Sequence, residues 1–260
     1  TEIKQLHVTR KLNASQPIEL VSTFLGAHAV PPEYKGRSKA FLDFLLKEVM
    51  PVVKKENLAE FCDIFCEEGV FSVDESRQYL KKAREMGFKL KIHADEIVSL
   101  GGSELAGELK ATSADHLLHA SDAGIKAMAE NGVVSTLLPT TAFCLREPFA
   151  RAREMIDAGC AVALATDFNP GSGFTFSVPL MLGLAVIYMH MTAEEAITAL
   201  TLNGAAAVGR ADRIGSIEVG KQADLTILQY PSYKFLPYHT GVNIVEKVIK
   251  KGELVHTASV

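Results

Sequence analysis

The chain has 260 residues, with 27 Lys+Arg against 31 Asp+Glu for a formal charge of −4, and 48% of its residues are apolar. That composition belongs to a folded globular protein, and the length admits one α/β barrel, which commonly needs about 250 residues, or one and a half smaller domains. The slight acidity argues against nucleic-acid wrapping or docking on anionic lipid, since either needs a concentrated Lys/Arg face, and no such cluster occurs.

Four cysteines, Cys62, Cys66, Cys144 and Cys160, are too few and too scattered for a disulfide framework. The Cys62/Cys66 pair also lacks a second pair to complete a thiolate zinc site, so reduced thiols and a cytoplasmic location are expected. The first residues, TEIKQLHVTRKLN, lack the apolar core of a signal peptide, and the long apolar stretch 178–191 is broken by Pro179 and Gly183. Neither secretion nor a membrane span is expected.

After a charged opening, six short β-rich apolar runs follow in chain order: 20–25, 60–65, 89–93, 116–119, 133–138 and 161–166. Helical patterns lie between them, including 38–55 with Phe41, Leu45, Leu46 and Val49 on one face, 73–86 opened by Asp74, and 146–158 closed by Gly159. Such alternation predicts parallel βαβ units with right-handed crossovers. A further helix is predicted over 192–208, capped by Thr192 with Glu194 and Glu195 in its first turn. From Ile214 onward only short strands and turns are expected, at 224–228, 244–249 and 253–256. The predicted organisation is a barrel portion over 1–211 and part of a small β domain over 212–260.

In parallel α/β barrels the chemistry sits where strands end, so polar residues just past each apolar run matter most. The first run ends in Gly26-Ala27-His28, the second contains Asp63 and ends at Glu67, and the third ends in His93-Ala94-Asp95-Glu96. The fourth carries Asp115-His116, and the sixth ends in Thr166-Asp167-Phe168-Asn169. Neutral imidazoles and a carboxylate converging from several strands suit Zn²⁺ or Fe²⁺. A carboxylate three residues past His93, as Glu96 is, overlooks the same mouth and can handle a proton of an activated water. His119 is expected to turn away from that mouth, because strand alternation sends it to the other face. The segment Asn169-Pro170-Gly171-Ser172-Gly173 offers flexible backbone N–H groups to a ligand but lacks the spacing of a phosphate loop.

These residues resemble the amidohydrolase superfamily, metal-dependent hydrolases on a (β/α)8 TIM-type barrel with a small β-sandwich. The tail Thr201-Leu202-Asn203-Gly204-Ala205-Ala206, followed by Arg213-Ile214-Gly215-Ser216-Ile217-Glu218-Val219-Gly220-Lys221-Gln222-Ala223-Asp224-Leu225, is similar to the superfamily's C-terminal signature. Within the superfamily the chain looks like the branch that opens a cyclic amide in histidine degradation. That likeness rests on four blocks: Phe24-Leu25-Gly26-Ala27-His28-Ala29-Val30-Pro31, Lys91-Ile92-His93-Ala94-Asp95-Glu96, Ser113-Ala114-Asp115-His116-Leu117-Leu118 and Ala165-Thr166-Asp167-Phe168-Asn169-Pro170-Gly171-Ser172. The resemblance implies His93 and Asp167 as metal ligands and Glu96 and His116 as the catalytic acid/base and the polarising partner of the attacked carbonyl. It implies His28, Glu96, Asn169, Gly171 and Ser172 as substrate contacts, and one Zn²⁺ or Fe²⁺/Fe³⁺ per full-length chain. The implied reaction converts 4-imidazolone-5-propanoate to N-formimidoyl-L-glutamate. The implied partner is a small molecule, with no nucleic acid and no membrane, and a homodimer is among the assemblies the resemblance allows.

The family's paired His-x-His ligands occur nowhere, since no two of the eight histidines are two residues apart. Six strands and this gap predict that the chain is the C-terminal part of a longer protein, its strands being the third to the eighth of the barrel. A guanine-type aromatic deaminase and a metal-free binding protein on the same scaffold are the alternative readings.

Overall fold

The computed structural model describes residues 2–258. They fall into two compact units that divide between Val133 and Val134.

The first unit opens with α1 (Glu2–Ser15), which the sequence did not announce: Leu6 is its one buried residue, so no apolar stripe marks it. Next come β1 (Thr23–Ala27), α2 (Ser38–Phe44) and α3 (Met50–Lys55). A π-helical turn, Leu45–Val49, joins α2 to α3, so 38–55 is helical throughout, as its periodicity predicts. The wide turn lies just ahead of Pro51, whose ring has no N–H and crowds the preceding turn of a regular helix. The unit continues with β2 (Phe61–Cys66), α4 (Val73–Glu85), β3 (Lys89–Ala94), α5 (Gly102–Glu108), β4 (Ser113–His116) and α6 (Asp122–Asn131). The cap of α4 is Ser72 rather than Asp74, in a capping box with Glu75.

Strands β1 to β4 pair in parallel in chain order. Cys62, Ile64, Leu90 and Ile92 alternate toward the helices and are buried, with Tyr79 and Leu80 of α4 fully buried too. Each such apolar side chain contributes roughly 1.5–3 kcal/mol. Asp63, Phe65, Lys91, His93, Ser113 and Asp115 take the opposite face by the same alternation. The fourth strand lies three residues earlier than its apolar run predicts, so His116 ends it instead of starting it. His119 therefore sits in the following turn, where its N–H donates to the Asp95 carbonyl at 2.8 Å.

The second unit contains β5 (Val134–Leu137), α7 (Pro139–Leu145), α8 (Ala152–Asp157) and β6 (Val162–Leu164), with β5 and β6 parallel. The helix expected over 146–158 is thus shorter. Arg146 closes α7 in the left-handed region at φ 60°, and Pro148 disfavours helical backbone at Glu147. Helices α9 (Val178–Tyr188), α10 (Ala193–Thr198) and α11 (Gly204–Ala207) follow, the last two joined by a second π-helical turn, Ala199–Asn203. The predicted cap holds: Thr192 and Glu195 form a capping box. The tail makes an antiparallel sheet of β7 (Leu225–Leu228), β8 (Val245–Lys250) and β9 (Glu253–Thr257), close to the three expected strands, with a short α12 (Phe235–Tyr238) ahead of β8. Among the described residues no helix is long and apolar enough to cross a membrane, and the four cysteines are free thiols.

Candidate active site

Four of the sequence-predicted residues meet at the carboxyl ends of the first unit's strands. The His28 ring, exposed just past β1, lies 5.3 Å from the His93 ring, centroid to centroid, and stacks on Phe65 at 5.3 Å. The His93 ring lies 5.2 Å from that of His116. Glu96 Oε1 stands 3.5 Å from His116 Nδ1.

His116 reaches this cluster through strained backbone. Strict alternation would send it to the helix side with Ala114, leaving Asp115 inward. Instead His116 and Leu117 adopt φ of 76° and 61°, the left-handed region that non-glycine residues avoid. The strand's twist ends there and the imidazole swings back over the mouth.

Asp63 is the contributor that spacing alone did not single out as a site residue. Its carboxylate is 2% exposed and accepts a hydrogen bond from His93 Nδ1 at 3.0–3.1 Å. Fixing the proton on Nδ1 leaves Nε2 as the ligand-capable nitrogen, the usual carboxylate–histidine arrangement behind a metal. Burial pushes the His93 imidazole down, but Asp63, helped by Asp115 and Glu96, outweighs it and lifts the group to about 9, so a metal taking Nε2 displaces a proton from it. Burial first, and then the neighbouring His93, drive His116 the other way to about 3, so its ring is neutral at pH 7.

This donor set fits a divalent transition metal. Ligand atoms of Asp63, His93 and Asp115 lie within 4.8 Å of one another. The buried Nδ1 of His116 makes no hydrogen bond among the described residues. Imidazole and carboxylate together are the borderline ligands that Zn²⁺ and Fe²⁺ prefer. Asp63→Asn keeps the shape but weakens the hold on the His93 tautomer. The expected result is a Zn²⁺ affinity reduced about 10- to 100-fold, read by competition with a chelator.

The second unit gathers the remaining predicted residues in one loop past β6. Asp167, with φ 50°, accepts a hydrogen bond from Thr141 Oγ1 on Oδ2 at 2.7 Å. The Asn169 side chain organises the turn: its Oδ1 accepts from the N–H groups of Gly171 and Ser172, each at 2.8 Å, and its Nδ2 donates to the Asp167 carbonyl at 2.8 Å. The two N–H groups that the sequence offered as flexible donors are thus already held by Asn169, because an Asx turn closes locally.

A family model described as the amidohydrolase family matches residues 55–255, and the chain belongs to that family. An imidazolonepropionase from Clostridium tetani is 67% identical over 259 residues, covering 100% of this chain and 62% of that protein. One from Porphyromonas gingivalis is 62% identical, covering 100% of this chain and 61% of that protein. The chain spans about three fifths of the length of the curated relatives it matches. Among solved structures, a guanine deaminase from C. acetobutylicum with bound guanine aligns at TM-score 0.74 and 16% identity, over 98% of this chain and 70% of that one. An adenosine deaminase from Xanthomonas campestris with bound zinc aligns at 0.72 and 21%, over 96% and 63%. At these identities they establish the fold, a TIM-barrel-type arrangement of parallel strands and helices with a small antiparallel sheet.

Proposed function

We propose that this chain carries the catalytic face of an imidazolonepropionase, a hydrolase that opens the ring amide of 4-imidazolone-5-propanoate to N-formimidoyl-L-glutamate. The observation that carries the reading is the convergence of His28, His93, Glu96 and His116 at one mouth. Relatives bearing that name at 61–67% identity support it.

His93, through Nε2, and Asp167 would hold the metal, Zn²⁺ or Fe²⁺/Fe³⁺. When bound, the ion supplies Lewis acidity that makes water a nucleophile near neutral pH. Glu96 accepts the proton of the attacking water and returns it to the ring nitrogen as the C–N bond breaks. His116 donates a hydrogen bond to the carbonyl oxygen as negative charge develops there. His28 lies against the imidazolone ring, while Asn169, Gly171 and Ser172 meet its polar edge and propionate as a closed Asx turn, the Gly171 and Ser172 N–H groups staying on Asn169. Within this reading residues 1–211 belong to the barrel, 212–260 to the small β domain, and the enzyme is cytoplasmic.

The purified full-length, metal-loaded protein is expected to convert imidazolone propionate to formimidoyl-glutamate and to release no ammonia from guanine, both followed chromatographically. Ammonia release from guanine without ring opening of imidazolone propionate would replace this reading with a deaminase.

A further inference from the structure

The loop bearing Glu96 is built around a buried carboxylate that the reaction does not use. Glu67 follows β2 directly and is 1% exposed. Its Oε2 accepts from the N–H groups of Glu96 at 3.0 Å and Ile97 at 2.9 Å. Its Oε1 accepts from Glu68 at 2.9 Å and Val98 at 3.3 Å. Successive N–H groups turned toward one point form an anion nest, and here the occupant is the protein's own side chain.

A carboxylate suits this place for a chemical reason. It is acceptor-only, with about four lone-pair sites, whereas a glutamine would turn an NH₂ group toward donors. Hydrogen bonds to an ionised acceptor are also roughly twice as strong as neutral ones. Glu67 is itself anchored, its N–H donating to the Phe71 carbonyl at 3.1 Å. On the other side of the loop Asp95 adopts φ 50° and pins the N–H groups of Leu100, Gly101 and Gly102 at 2.9–3.0 Å. The backbone of Glu96 is therefore clamped between carboxylates from two strand ends, and its side chain extends from a fixed origin.

We propose that Glu67 is a positioning residue for the reaction: by holding the N–H groups of 96–98 it sets where the Glu96 carboxylate stands relative to His116. The proposal rests on the assignment of Glu96 as acid/base. Misplacing a reacting group by about 1 Å can cost roughly a hundredfold in rate.

The test is Glu67→Gln in the metal-loaded protein, alone and combined with Glu96→Gln. The expected result is kcat lowered about 10- to 100-fold with KM within about twofold of wild type. Metal content should be unchanged, and the amides of 96–98 should exchange faster with deuterium. Because Glu67 acts through Glu96, adding Glu67→Gln to Glu96→Gln should cost no more than about twofold further. A full second loss in the double variant, or wild-type exchange at 96–98 in the single one, overturns the proposal. Should Glu67→Gln fail to fold, Glu67→Asp keeps the charge but retracts it by one methylene and is read the same way. If the wild type does not turn over imidazolone propionate, the assigned reaction fails, and the exchange rates still decide whether Glu67 clamps the loop.

Discussion

Glu96→Gln is expected to lower kcat by about 10²- to 10⁴-fold while leaving bound metal and KM near wild type. The amide keeps the size of the carboxylate but cannot take a proton from water, so the loss falls on the chemical step. Glu96 stands 3.5 Å from His116 Nδ1, and its backbone is held independently of its own carboxylate. The substitution should therefore leave the loop in place. Kinetics on imidazolone propionate together with elemental analysis check this: a variant with normal kcat removes Glu96 from the proton path, and one without metal assigns it to the ligand set.

The second large effect is on stability. Asp95 is fully buried, and besides Leu100, Gly101 and Gly102 it accepts from both the N–H and the hydroxyl of Ser103, at 2.9 and 2.5 Å. Gly102 is needed there because a Cβ would stand 2.9 Å from the Ala94 Cβ, so α5 starts in direct contact with the end of β3. Asp95→Ala leaves the Gly102 and Ser103 donors buried without that acceptor, at about 1–3 kcal/mol each. A loss on the order of 4 kcal/mol is expected, seen in urea as a lower midpoint with an unchanged slope. A loss below about 1 kcal/mol would mean that water reaches these donors.

What the sequence made legible was whatever is written locally. The Thr192–Glu195 box, the helical stretch 38–55 and five of the six strand positions follow from caps and periods that neighbouring residues define. His93, Glu96 and His116 stood out as polar residues at the ends of apolar runs. The hidden parts were relations between strands. Asp63 meets His93 across 30 positions, and Glu67 meets Glu96 across 29, so both depend on register. His116 was found for an incomplete reason: period-2 reading gives the wrong face, and only its φ of 76° corrects it. The helix α1 was missed because amphipathicity is the signal for a surface helix and this one has almost none.

The positive φ values of Asp95, His116 and Asp167, at 50°, 76° and 50°, have a bearing on engineering. Each costs of order 1–3 kcal/mol that a glycine would largely recover. A library screened only for thermal tolerance would drift toward glycine at His116 and strip away an imidazole of the site, whereas at Asp95 the hydrogen bonds lost with the side chain outweigh that relief. The rim of the mouth is where resistance to heat and turnover oppose each other most directly, and stabilising changes belong elsewhere in the chain.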